Sequence, residues 1–143
     1  MVTGPTEARL PATMLQAMID HARREVPNEA CGLIIGSAPA ADGGVALRFE
    51  PTRNAAASPY RYEIESSDLL RLTMASDDAD EVFWAIVHSH VRSPARPSPT
   101  DVGLAFYPKA LYIVISLAEE EPEVLAWRIL DREVTPVTLE VTE

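Results

Sequence analysis

The chain has 143 residues, 47% hydrophobic and 24% charged, with a single cysteine and a formal net charge of −10. That length makes one domain able to bury its own core, and the composition excludes disordered, collagen-like and coiled-coil chains. One cysteine excludes an intramolecular disulfide, the apolar runs fall short of the ~18 residues of a membrane span, and no secretory leader is seen, so the expected compartment is the cytoplasm.

Residues 1–8 read as a flexible tail ahead of a single domain at 9–143. Leu10, Met14, Leu15, Met18, Ile19 and Ala22 recur at helical spacing. They predict a helix from Leu10 to Val26, with Pro11 in its first turn and Pro27-Asn28 as its stop. Glu29 to Gly36 is short, apolar and glycine-bounded, the pattern of a buried strand. Residues 38–44 form a turn, and Val45, Leu47 and Phe49 alternate along a second strand ending near Pro51. A loop at 54–59 leads to a short strand at Tyr60–Ile64, and Ser66 or Ser67 caps a helix running to about Asp80.

Val82 to His88 is the most strand-like run of the chain. It ends in His88-Ser89-His90 and a proline-rich loop at 91–97. Ser98-Pro-Thr-Asp101 then combines a capping serine, a proline at the first helical position and an acid three residues after the cap, a strong start for a helix over 99–106. Leu111–Leu117 is a strand, and 124–130 with 134–141 form a hairpin about Asp131-Arg-Glu133. The order of elements predicts a mixed α/β (α+β) domain with a central sheet flanked by helices. The acidic surface disfavours nucleic acid as a partner. It would attract a basic protein face, although solubility explains most of the charge.

His88 and His90 carry the chemistry. Residues i and i+2 of a strand face the same way, so two of the three histidines leave one side of a strand end together; His21, in the first helix, reads as a surface residue. Two nitrogens do not hold zinc well, and a catalytic zinc commonly takes three protein ligands and keeps one position open for water. Asp101, in the first turn of the following helix, supplies an oxygen and completes a set suited to Zn²⁺, one ion per chain. Glu29, a carboxylate at the start of a buried strand, is the candidate base. Each residue also has a plainer role open to it: hydrogen-bonded histidines, a helix-start aspartate, a serine cap and a solvated strand-edge glutamate.

His88-Ser-His90, seven residues, Ser98, two residues and Asp101, with Glu29 upstream, resembles the motif of the JAMM (MPN+) zinc metalloproteases at every position. Glu29-Ala-Cys-Gly-Leu-Ile-Ile-Gly36 resembles the family's first strand. Asn54-Ala-Ala-Ala-Ser-Pro59 with Tyr62 resembles a stretch of its small bacterial members. The resemblance covers about residues 10–135. It implies the family's fold, a mixed sheet between helices similar to that of cytidine deaminases. It also implies that His88, His90 and Asp101 ligate zinc, that Glu29 moves a proton from the attacking water to the leaving amine, and that Ser98 donates to the oxyanion. Val91 stands where many members have proline, which affects the loop path rather than the ligands.

The resemblance further implies cleavage after the Gly-Gly tail of a ubiquitin-like protein. Among small bacterial members the substrate is a ubiquitin-like sulfur-carrier protein, and the actinobacterial type releases cysteine from a carrier–cysteine adduct in cysteine biosynthesis. A general isopeptidase removing ubiquitin-like modifiers is the alternative of the same class. A metal-bound, non-catalytic scaffold, sensor or transport protein is the alternative of another class. A nucleobase deaminase needs His-x-Glu and Pro-Cys-x-x-Cys and is excluded by the single cysteine. Arg92 and Arg96 are candidates to read a substrate carboxylate, and Ser58 and Tyr62 are further candidate substrate contacts. By parity Cys31 follows Glu29 and Trp84 follows His88 toward the site, although both also read as core residues. A homodimer is left open.

Overall fold

The computed structural model describes residues 7–143. In chain order the elements are β1 (Glu7–Pro11), α1 (Ala12–Glu25), β2 (Cys31–Gly36), β3 (Ala46–Thr52), α2 (Ser66–Asp78), β4 (Val82–His90), α3 (Pro99–Gly103), β5 (Leu111–Ser116), β6 (Glu123–Leu130) and β7 (Glu133–Thr142). A 3-10 turn lies at Ala40–Asp42. The strands make one mixed sheet in the order β1-β7-β6-β5-β4-β2-β3. The β4–β5 and β1–β7 pairs are parallel and the others antiparallel.

Every residue of β2 and β5 is buried. Their runs Cys-Gly-Leu-Ile-Ile-Gly and Leu-Tyr-Ile-Val-Ile-Ser do not alternate with polar residues because both sheet faces are covered. On one face Met18 and Ala22 of α1 share a core cluster with Ile34, Trp84, Val87 and Ile113. On the other, Leu72 of α2 packs with Leu33, Ile35, Ile86 and Val114. Among the described residues no helix is long and apolar enough to cross a membrane.

Several local expectations are corrected. The first helix begins at Ala12, and the preceding residues, including Glu7 and Ala8 of the expected tail, form β1 beside β7; residues 1–6 lie outside the described residues. His21 is buried rather than on the surface, with Nε2 3.0 Å from the Cys31 carbonyl. Of the alternating residues only Phe49 packs against the core; Val45 and Leu47 are exposed at the edge of the sheet, and the fully buried residues of β3 are Ala46 and Thr52. Residues 60–64 make only a single bridge, Asn54 to Ile64. α2 is capped by the Glu65 side chain, which accepts from the N–H groups of Ser67 and Asp68. α3 stops at Gly103, three residues before its expected end.

Trp84 does not follow the parity of His88. Ile34 pairs with Ala85 but Ile35 pairs with Phe83, so Trp84 is the extra residue of a β-bulge. One inserted residue exchanges the faces of a strand. Trp84 therefore packs in the core under α1, its Nε1 donating to the Gly44 carbonyl at 3.0 Å, while His88 faces the opposite side against Tyr62.

The bulge presses the Trp84 ring against Gly36. A Cβ at Gly36 would stand 2.6–2.8 Å from Trp84 side-chain atoms, including its own Cβ. Gly36→Ala is expected to destabilise the fold by ~1–3 kcal/mol through overpacking. Urea denaturation measures this, and an unchanged midpoint would mean that the indole yields freely.

Candidate metal centre

His88 and His90 close β4 and project from the same face, as their spacing requires. Their Nε2 atoms lie 3.2 Å apart, and each is 3.1 Å from Asp101 Oδ2. Asp101 reaches them because α3 starts in a full capping box. Ser98 Oγ accepts from the Asp101 N–H at 3.1 Å, and the Ser98 N–H donates to Asp101 Oδ2 at 2.8 Å. The cap thus aims the carboxylate at the imidazoles and leaves the Ser98 hydroxyl proton free to donate.

Glu29 arrives from a distant part of the chain. β2 and β4 are antiparallel, with Cys31 opposite His88. Beyond the strand, Ala30 N–H donates to Ser89 Oγ at 2.8 Å and Ser89 N–H donates to the Ala30 carbonyl at 3.0 Å. Continuing that register sets Glu29 opposite His90. Ligating atoms of Glu29, His88 and His90 all fall within 4.8 Å of one another, and all three residues are buried. Glu29 Oε1 is buried without a hydrogen-bond partner. Burial pushes its pKa up from 4.5 to about 7, with His90 opposing and Asp101 reinforcing the shift.

The electrostatics identify what the three converging atoms can hold. The Pro94 carbonyl, 2.8 Å from His90 Nδ1, can only accept, so Nδ1 carries a proton. In neutral His90 the lone pair is then on Nε2 and points at a carboxylate oxygen. Something positive must lie between them. Burial alone would depress His90, but Asp101 and the Pro94 carbonyl outweigh it and its pKa is raised. Burial also disfavours the Asp101 carboxylate. Hydrogen bonds from His88, His90 and the Ser98 N–H outweigh that cost and hold its pKa far below the usual range. His88, fully enclosed, is pushed down by burial.

Two protons, one on each Nε2, would satisfy Asp101 Oδ2 but face each other across 3.2 Å, whereas one divalent cation serves all three atoms. Separations of 3.1–3.2 Å are close to the ~3.3 Å between neighbouring ligand atoms of a tetrahedron with metal–ligand bonds of ~2.0–2.1 Å. Two nitrogens and one oxygen are a donor set that fits zinc.

The remaining candidates separate. Arg92 lines a pocket of about 230 Å³ together with Glu29, Tyr60, His90 and Ser98. Arg96 does not line it; its guanidinium lies 5.4 Å from the centre of the Trp127 ring. Ser58 is used internally, its carbonyl accepting from the Glu29 N–H and its Oγ from the Tyr60 N–H. Tyr62 is 8% exposed and stacks on His88, with ring centres 4.4 Å apart and planes 20° from parallel, instead of facing that pocket. Cys31 packs in the core with its Sγ 3.3 Å from Thr52 Oγ1, and burial pushes the thiol up to about 11, so it stays protonated.

Two residues given no role of their own in the sequence prove to be structural keys. Ser89, between the histidines, ties Glu29 to them through Ala30. Asn54 spends its whole amide. Its Nδ2 donates to the carbonyls of Glu29 and Arg61, and its Oδ1 accepts from Ala56 and Glu63. An asparagine ahead of a loop, able to bond the backbone two residues on, was the available signal.

Comparison with known proteins places this geometry in context. The profile of a family described as prokaryotic homologs of the JAB domain matches residues 11–130. The chain is 40% identical over 133 residues to a Mycobacterium tuberculosis protein named CysO-cysteine peptidase, covering 92% of this chain and 89% of the relative. It is 30% identical over 112 residues to a Haloferax volcanii protein named desampylase, covering 75% of this chain and 78% of the relative. The solution structure of protein DSY2949 from Desulfitobacterium hafniense matches with a TM-score of 0.83 and 32% identity, covering 95% of this chain and 93% of that one.

The raised pKa of Glu29 has a consequence for stability. The folded, metal-free chain holds this proton more tightly than the unfolded chain. Its contribution to stability is therefore complete below pH 4.5 and is lost as pH rises through about 7. Thermal melts of chelator-treated protein should show Glu29→Gln gaining on the parent across that window, with a constant difference above it. A difference that does not change with pH would mean that Glu29 titrates as an ordinary carboxylate.

Proposed function

The chain belongs to the JAB family of prokaryotic domains, and from that membership we propose that it is a zinc-dependent peptidase. Its substrate in this proposal is a ubiquitin-like sulfur-carrier protein, cut after a Gly-Gly tail to release cysteine from a carrier–cysteine adduct in the cytoplasm, as a step of cysteine biosynthesis. The observation that carries the hydrolytic reading is the buried, unpartnered carboxylate oxygen of Glu29 beside the two imidazoles. That oxygen makes no hydrogen bond, and a pKa of about 7 lets the carboxylate take and return a proton near neutrality. The substrate class is supported by the similarity to the CysO-cysteine peptidase.

His88 Nε2, His90 Nε2 and Asp101 Oδ2 would hold the zinc. A zinc ion bound there supplies Lewis-acid polarisation of the scissile carbonyl and lowers the pKa of a water toward ~7. Glu29 accepts the proton of the attacking water and delivers it to the leaving amine. Ser98 Oγ–H donates to the developing oxyanion, where such a donor contributes most. Its cap bond to Asp101 uses only an oxygen lone pair, so the two roles are compatible. An extended tail would enter with its glycines permitting close backbone approach.

The pocket of about 230 Å³ beside Glu29 is below the ~300–1,000 Å³ range of drug-sized sites, which suits the release of a single amino acid. Arg92 at this pocket would meet the carboxylate of that residue. Arg96, held over Trp127, takes no part. Arg92→Ala should raise KM about tenfold for a carrier–cysteine adduct. It should not affect a carrier–cysteamine adduct, which lacks the carboxylate, and Arg96→Ala should leave both unchanged. Equal losses on the two adducts would remove the carboxylate role.

Intact-mass spectrometry of a Gly-Gly-ending carrier bearing C-terminal cysteine tests the whole reading. Loss of one cysteine is expected, abolished by a zinc chelator and reduced at least ~100-fold by Glu29→Gln. No cleavage by the zinc-loaded protein would overturn this substrate. Release of a carrier from protein lysines instead would establish the isopeptidase reading, which the similarity to the desampylase favours. Inertness toward both would leave a metal-bound scaffold.

A further inference from the structure

The two histidines of the centre are oriented by different means. His90 is held through its second ring nitrogen, with Nδ1 donating to the Pro94 carbonyl at 2.8 Å. That is the usual device, because a bond from the second nitrogen sets the tautomer and the ring plane of a metal-ligating histidine. His88 has no such bond. Its Nδ1 is buried without a partner although the residue is 1% exposed.

The Tyr62 ring stands in place of the missing acceptor. It stacks on His88 with ring centres 4.4 Å apart and planes 20° from parallel. Tyr62 lies in no helix or strand, yet it is clamped on both sides. Asn54 Nδ2 donates to the carbonyl of Arg61, and Asn54 Oδ1 accepts from the N–H of Glu63, the two neighbours of Tyr62. The Ala55 N–H donates to the Glu63 carbonyl at 2.7 Å, closing the clamp. The second N–H of Asn54 Nδ2 donates to the Glu29 carbonyl at 3.0 Å. These bonds fix the backbone on both sides of Tyr62, and its buried ring offers one face to the His88 ring stacked on it.

We propose that Tyr62 is a positioning residue for the metal centre, setting the plane of His88 by stacking where no hydrogen bond does so. This rests on the zinc reading of His88, His90 and Asp101. The ring face is what matters, so Phe substitutes for Tyr, whereas Leu fills the space without a plane.

The test titrates Zn²⁺ into the metal-free full-length protein in competition with a chromophoric chelator. Tyr62→Leu is expected to weaken zinc binding at least ~10-fold, the size of loss seen when an orienting partner of a metal ligand is removed. Tyr62→Phe is expected to stay within about threefold of the parent, well short of that loss. A parent that binds no zinc defeats the metal reading and this role with it. A parent that binds zinc and a Tyr62→Leu protein that binds it as tightly defeats only the role of Tyr62. If Tyr62→Leu does not fold, NMR of the parent and of Tyr62→Phe decides. Both should show the His88 ring protons shifted upfield by the stacked ring, and unshifted protons overturn the proposal.

Discussion

The site depends on the antiparallel pairing of β2 with β4. Ala30 and Ser89 lie 59 residues apart in the chain and exchange two hydrogen bonds, one through the Ser89 side chain and one through its backbone. These bonds extend the register past the end of β2, just far enough to bring Glu29 opposite His90. Without them Glu29 would be a carboxylate in a loop. With them it is buried beside the histidines, and its charged form is disfavoured. The serine between the histidines bonds Ala30 and so holds Glu29 in place.

Around that pairing the charges are arranged at short range. Asp101 Oδ2 alone receives His88, His90 and the Ser98 N–H. A short helix with a full capping box presents it, so the aspartate is both part of the cap and part of the centre. Protons on both Nε2 atoms would satisfy Asp101 Oδ2 but would set two N–H groups against each other across the 3.2 Å between the imidazoles. A centre compatible with a bound cation, with an uncommitted carboxylate next to it, fits the proposed metal-assisted hydrolysis.

The loops at the site are tied to the sheet by side-chain hydrogen bonds. Within 91–97, the carbonyls of Ser93, Pro94 and Ala95 accept from Ser116 Oγ, His90 Nδ1 and Trp127 Nε1. The same anchoring draws Arg96 over Trp127 and leaves Arg92 at the pocket. On the other side Asn54 joins the loop before α2 to Glu29. Fixing His88, His90, Asp101, Glu29 and the pocket wall from several elements is what the proposed, preorganised chemistry requires.

The local sequence carried the parts of this design that depend on short spacing. The shared face of His88 and His90 follows from the period of two along a strand, and the Ser98–Asp101 start follows from helix-capping chemistry; both stand in the structure. The buried strands β2 and β5 were legible as apolar runs. The complete motif of Glu29, His88, His90, Ser98 and Asp101 pointed to the family by itself. What tertiary structure decided was everything that depends on register and on neighbours distant in sequence. The bulge at Trp84 reversed a face that parity alone had assigned. Tyr62 became the stacking partner of His88, and Arg92 was separated from Arg96 by an indole contributed from β6. The physical reason is that periodicity and capping are set by bonds within a few residues. The meeting of Glu29 with the histidines is set by a strand register, and nothing in the intervening chain spells that register out.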